Sequence, residues 1–290
     1  MVITLEGGCR VSEMREGDPL IAGTVRISRA TGAQAISLRV LEFAPGSSPG
    51  IRNGDCDEIL YVLSGSKLAP SDHEGVKDSS QGQAPSAPPL DRGQLIDPHP
   101  EGVQRDTHVA QAFIDGRSYD LSPDTGIYIR PGETFAVNNP GPASIVIISS
   151  QCPDPDRKSE FVSAEISPLL PSQTKPPFVR LSDRPAQPTA DRWYRVLVDD
   201  EIGSTNATQF VGSIPTGRAP DHFHQYEEVL FILRGDGRMW AGGTNTPIAA
   251  GSCIYLPKGQ VHCVENTGND ELRLLGVFYP AGSPSVRYDI

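Results

Sequence analysis

The residues best suited to chemistry lie in two short stretches, His222-Phe-His224-Gln-Tyr-Glu-Glu228 and Pro257-Lys-Gly-Gln-Val-His262. On an extended strand alternate side chains share a face, so His222 and His224 point the same way. A turn through Gln225 and Tyr226 lets the chain return and brings Glu228 beside them. With His262 the set is three imidazoles and one carboxylate. These donors suit a divalent first-row ion such as Mn, Fe, Co, Ni or Zn, and octahedral geometry would leave positions open. Tyr226 and Glu227 flank the set as candidate acid or base, although alternation turns Glu227 away from Glu228. Cys263, next to His262, is expected to face away from a metal. Trp193, Trp240, Phe278 and Tyr279 are candidates for a pocket lining, with core or interface positions as the alternative.

The elements that must position these residues are strands. Short β-branched and aromatic runs such as Glu58-Ile-Leu-Tyr-Val-Leu63 and Val229-Leu-Phe-Ile-Leu233 are bounded by Gly and Pro, which total 29 and 27, so an all-β chain is expected. The runs repeat. Glu58 to Gly65 matches Glu228 to Gly235, and Gly126-Ile-Tyr-Ile-Arg-Pro-Gly132 matches Ser252-Cys-Ile-Tyr-Leu-Pro-Lys-Gly259. Asn139 and Asn266 follow at equal distance from the closing glycines. Two strand-rich units therefore lie roughly 130–170 residues apart, a spacing of domain size. The first unit is read as residues 1–151, with an insertion over about 66–107 rich in Ser, Pro, Gly, Asp and Gln. A surface loop is the expectation for the insertion, and a lid the alternative; His73, His99 and His108 lie in or beside it. A Pro-rich linker is expected at 152–189 and the second unit at 190–290.

These stretches resemble the cupin superfamily, whose motifs are G-x5-H-x-H-x3,4-E-x6-G and G-x5-P-x-G-x2-H-x3-N. The second motif matches in full at Gly251, Pro257, Gly259, His262 and Asn266. The first matches at His222, His224, Glu228 and Gly235, with Gly217 one residue closer than the pattern. The resemblance implies two jelly-roll barrels in tandem, a bicupin, with a metal pocket inside the second. In the first unit the same frame, started at Gly46, places Arg52, Gly54 and Phe135 where the second has histidines; Glu58 alone survives. That barrel is therefore expected to be metal-free, with a small polar ligand on Arg52 and Glu58 as the sharper alternative. The layout is also similar to ureidoglycine aminohydrolases, but their E-x-H-x3-H arrangement is absent here, so that activity is not carried over.

Composition excludes other classes. Formal net charge is −11, which disfavours nucleic acid. No apolar run reaches the ~20 residues of a membrane span. The N-terminus carries no recognisable leader, and five scattered cysteines without a CxxC pair fit reduced thiols, so a cytoplasmic protein is expected. The functional expectation is a metal-dependent oxidoreductase of dioxygenase type acting on a small oxygenated molecule. The alternatives are a redox-neutral isomerase, lyase or hydrolase, and a non-catalytic binding bicupin. A homodimer is a further expectation.

Overall fold

The computed structural model describes residues 3–4, 20–63, 109–157, 159–163, 176–189 and 191–286. The 66–107 insertion, with His73, His99 and His108, lies outside them, as does Cys9. Among the described residues there are strands and two 3-10 turns, and no helix long and apolar enough to cross a membrane.

Among the described residues four antiparallel sheets form two jelly-roll barrels. In the first barrel one sheet runs Phe178–Arg180, Thr125–Ile129, Asp57–Val62, Ile145–Cys152, Leu38–Phe43, Ile21–Ile27. Its partner runs Glu160–Val162, Gly50–Arg52, Thr134–Asn139, Gln111–Ile114, Arg117–Asp120. In the second barrel the large sheet runs Ile3–Thr4, Cys253–Leu256, Glu227–Arg234, Leu272–Tyr279, Thr208–Ile214, Arg192–Val198, Gln187–Thr189. The smaller runs Gly217–Arg218, His262–Asn266, Gly237–Ala241, Thr244–Ile248. The described parts of 152–189 are thus pinned by strand pairing: Glu160–Val162 and Phe178–Arg180 join the first barrel and Gln187–Thr189 joins the second.

Among the described residues three apolar cores follow from strand alternation. Leu60, Val62, Ile127, Phe135 and Ile147 fill the first barrel. Leu230, Ile232, Ile254, Val264 and Phe278 fill the second. The third core lies between the barrels, where Ile59, Tyr61, Tyr128 and Ile148 pack on Val229, Phe231, Tyr255 and Val277. Strands Asp57–Val62 and Glu227–Arg234 serve two cores at once, one on each face, which is why they read as near-continuous apolar runs.

The repeated asparagines are staples. The Asn266 amide donates to the carbonyls of Ile214 (2.9 Å) and Asp270 (2.7 Å), and its oxygen accepts from the Gly268 N–H (2.9 Å). Asn139 makes the same bonds to Phe43, Ala143 and Gly141. Each ties a hairpin end to the neighbouring sheet, satisfying backbone groups that would otherwise be buried unpaired.

Candidate metal centre

His222 and His262 sit side by side on the smaller sheet of the second barrel in a two-way backbone bridge, with N–H to carbonyl distances of 3.0 and 2.8 Å. His224 follows two residues on, and its carbonyl accepts the Gly259 N–H at 2.8 Å. Glu228 enters from strand Glu227–Arg234 on the opposite sheet. The ligand atoms offered by the three histidines all lie within 4.8 Å of one another. Glu228 Oε2 is 3.5 Å from His262 Nε2 and 3.9 Å from His224 Nε2. Metal–donor bonds of ~2.0–2.2 Å put neighbouring donors about 3–4 Å apart, and both Glu228 separations fall in that range.

The hydrogen bonding fits the same ion. Each histidine Nδ1 meets a backbone carbonyl: Pro220 for His222 (3.0 Å), Val286 for His224 (3.1 Å) and Gln260 for His262 (2.8 Å). A carbonyl only accepts, so Nδ1 carries the proton and the Nε2 lone pairs are left facing inward. Glu228 Oε2 is buried without a hydrogen-bond partner. A lone buried carboxylate oxygen is costly, and a cation among the three Nε2 atoms would satisfy it.

Electrostatics keeps the donors in ligating form. Burial, reinforced by the neighbouring His262, pushes His222 down to about 4. Burial likewise lowers His224. Burial alone would raise Glu228, but the adjacent His262 and the other two imidazoles reverse this and hold its carboxyl below the usual range. At neutral pH the set is therefore neutral His222 and His224 beside an ionised Glu228.

The four residues line a cavity of about 100 Å³ with mainly apolar walls, among them Phe210, Ile214, Leu230, Leu274 and Phe278. Trp193 and Arg192 also line it. The other aromatic candidates lie elsewhere. Trp240 packs under Arg218, 4.3 Å from guanidinium carbon to ring centre, and Tyr279 packs against the core between the barrels. Tyr226 stacks on His224 at 4.9 Å and donates to the Ser283 carbonyl. Glu227 faces the other barrel, where it accepts from the Ala35 N–H at 3.1 Å. Cys263 is buried against Arg218, which donates to its sulfur. Sequence reasoning missed Phe210 and the Val286 carbonyl, because neither carries a chemical signature and both reach the site through folding.

A family description, Cupin domain, matches residues 210–278. An uncharacterized protein of Aquifex aeolicus is 33% identical over 88 residues, which is 29% of this chain and 71% of that protein. The chain belongs to the cupin superfamily. The oxalate-binding protein of Thermotoga maritima is 40% identical over 57 residues, 19% of this chain and 47% of that protein, so the match spans about half its length. Among solved structures, a deletion mutant of Bacillus subtilis oxalate decarboxylase superposes with a TM-score of 0.66 at 12% identity, over 98% of this chain and 78% of that one. At that identity the likeness is one of fold, and it extends over both barrels of this cupin.

The first barrel departs from the frame read in its sequence. Gly46 and Gly217 share one conformation (φ +124° and +125°) and pair with Asn139 and Asn266. The pairing of Ile51 with Phe135 then answers the bridge of His222 with His262. The residues standing where the second barrel has His222, His224 and His262 are Ile51, Asn53 and Phe135, not Arg52, Gly54 and Phe135. The reason is a turn one residue longer: five positions separate Asn53 from Glu58, and four separate His224 from Glu228. Ile51 and Phe135 belong to the core, and Asn53 donates to the Cys56 carbonyl. Arg52 and Glu58 are not brought together. Arg52 points outward toward Glu160 at 3.5 Å, whereas Glu58 is fully buried and engaged with Arg39.

Proposed function

We propose that the second barrel is a mononuclear divalent-metal centre, held by His222, His224, Glu228 and His262, that acts on a small oxygenated organic molecule as an oxidoreductase of dioxygenase type. The observation that carries the metal reading is the buried, unpartnered Glu228 oxygen among three inward-facing imidazole nitrogens. A bound ion of the Mn–Zn series supplies Lewis acidity and, where redox-active, one-electron chemistry. The chain's own part is to fix the donors and exclude water. Backbone carbonyls hold the imidazoles in one tautomer, and the Phe210–Phe278 pair, stacked at 4.8 Å, forms a dry wall beside the carboxylate. Such a wall favours an apolar co-substrate such as O2 and protects reactive species from water. The free, buried Cys56, Cys152, Cys253 and Cys263 fit a cytoplasmic setting, and a homodimer belongs to the same proposal.

A second reading, redox-neutral chemistry on a small carboxylate or binding of it, is favoured by Arg192 in the cavity lining and by the oxalate named for two of the similar proteins. Protein purified without chelator is expected to carry about one metal per chain, and His262→Ala to carry far less. Two metals per chain, or full retention by the variant, would overturn the site. Oxygen uptake with the metal-loaded protein on a panel of small diketones, phenols and carboxylates supports the first reading. Carbon dioxide release without oxygen uptake supports the second.

A further inference from the structure

The two barrels carry one glutamate in the same place and treat it in opposite ways. Glu58 pairs with Ile129 on one side and Gln151 on the other; Glu228 pairs with Leu256 and Phe278. One strand further, Arg39 lies opposite Ser149, as Phe210 lies opposite Gly276. Register therefore equates Arg39 with Phe210, Ser149 with Gly276, and Gln151 with Phe278.

The chemistry at these positions is exchanged as a set. In the first barrel Arg39 Nη2 is 2.6 Å from Glu58 Oε1 and 2.8 Å from Ser149 Oγ. Ser149 Oγ donates to the same carboxylate oxygen at 2.7 Å, and Gln151 Nε2 donates to the other at 3.2 Å. Both oxygens of Glu58 are thus satisfied by protein, and its charge is compensated by a guanidinium at 5% side-chain exposure. In the second barrel the same three positions hold two phenyl rings and a glycine. None of them can donate a side-chain hydrogen bond, and Glu228 Oε2 stays unpartnered.

We infer that Arg39 takes the place of a metal ion, neutralising Glu58 in a barrel with no histidine at the three equivalent positions, and that Phe210 is the position that keeps Glu228 available to an external cation. The inference follows from the cost of burying an isolated carboxylate, which each barrel must offset with a cation. The proposal rests on the metal reading above for the second barrel alone; the role of Arg39 is read independently of it.

Two measurements test it. Arg39→Ala leaves Glu58 uncompensated and is expected to lower Tm by about 10 °C, the scale for a broken buried pair in a chain of this size. Low-millimolar guanidinium chloride, against matched NaCl, is expected to recover much of that loss by occupying the space left behind. Arg39→Met, which fills the space without charge, is expected to be destabilised and not rescued. A wild-type Tm for Arg39→Met, or no rescue of Arg39→Ala, overturns the cation role. In the second barrel, Phe210→Arg is expected to cut bound metal at least tenfold while near-UV circular dichroism stays native, and Phe210→Leu to keep it. Should Phe210→Arg fail to fold, the triple variant Phe210→Arg/Gly276→Ser/Phe278→Gln carries the complete first-barrel set. Wild-type metal content in a folded variant with the arginine overturns the role of Phe210. Metal-free wild-type protein would sink the metal reading and the role of Phe210, while the Arg39 measurement would still stand or fall by itself.

Discussion

At the scale of single residues, the second barrel buries a carboxylate oxygen without a hydrogen-bond partner beside imidazoles whose charging burial disfavours. His222 is held at about 4, against an ordinary value of 6.5, chiefly by burial. Between those values the unfolded chain binds a proton that the folded chain refuses, so the metal-free fold loses stability as pH falls. His224 is lowered too and acts in the same range with the same sign, whereas the lowered Glu228 adds its loss only below its ordinary value of 4.5. Chelator-treated protein is therefore expected to show a falling Tm from pH 7 to pH 5. His222→Gln should flatten that slope, and the His222 share is about 3 kcal/mol over the full window. A Tm independent of pH in this range would contradict the burial argument. The same protonations compete with metal, so metal affinity should fall in the same direction.

At the scale of elements, alternation along strands decides which residues meet. Strand Glu227–Arg234 sends Glu228, Leu230 and Ile232 into the barrel and Glu227, Val229 and Phe231 toward the other barrel. A one-residue slip would exchange the two sets and remove the carboxylate from the site. Strand Leu272–Tyr279 contributes a gap rather than a group. A Cβ on Gly276 would stand 2.3 Å from the Phe210 ring, so glycine is what lets that ring lie flat across the sheet. Gly276→Ala must push Phe210 toward the cavity. The expected results are a loss of about 1–3 kcal/mol, the usual cost of overpacking, and weaker binding of any ligand that fills the cavity. Denaturant unfolding and ligand titration of the metal-loaded variant read the two effects separately.

At the scale of the molecule, the barrels are joined by a core of their own. Tyr61 and Ile59 pack with Val229, Phe231 and Val277, and polar groups seal the joint: Asn206 donates to Asp57 at 3.0 Å and Gln209 to the Leu60 carbonyl at 3.3 Å. Gly126 accepts the close approach of Leu197 and Gln209 from the other barrel. A joint this apolar predicts one cooperative unfolding transition for both barrels. Phe231→Ala, which opens a cavity in the joint, is expected to cost about 3–5 kcal/mol and to lower the whole transition in calorimetry. A split into two transitions in the wild-type protein would show that the barrels are stabilised separately.

The sequence by itself determined the strand-rich class, the duplication and the four candidate donors. Each of those is written in local spacing: alternation puts His222 and His224 on one side, and the paired glycine and asparagine positions mark both copies. Tertiary structure alone decided what surrounds the donors. Arg39 and Phe210 lie on other strands than their glutamates, and only sheet register brings Arg39 to Glu58 and sets Phe210 in the cavity that Glu228 lines. For that reason the first barrel could be read as lacking ligands but not as already holding its own cation. The frame of the first copy slipped by one residue for the same cause. A turn can lengthen without trace in composition, and only the pairing of Gly46 with Asn139 shows that Ile51, and not Arg52, faces the barrel interior.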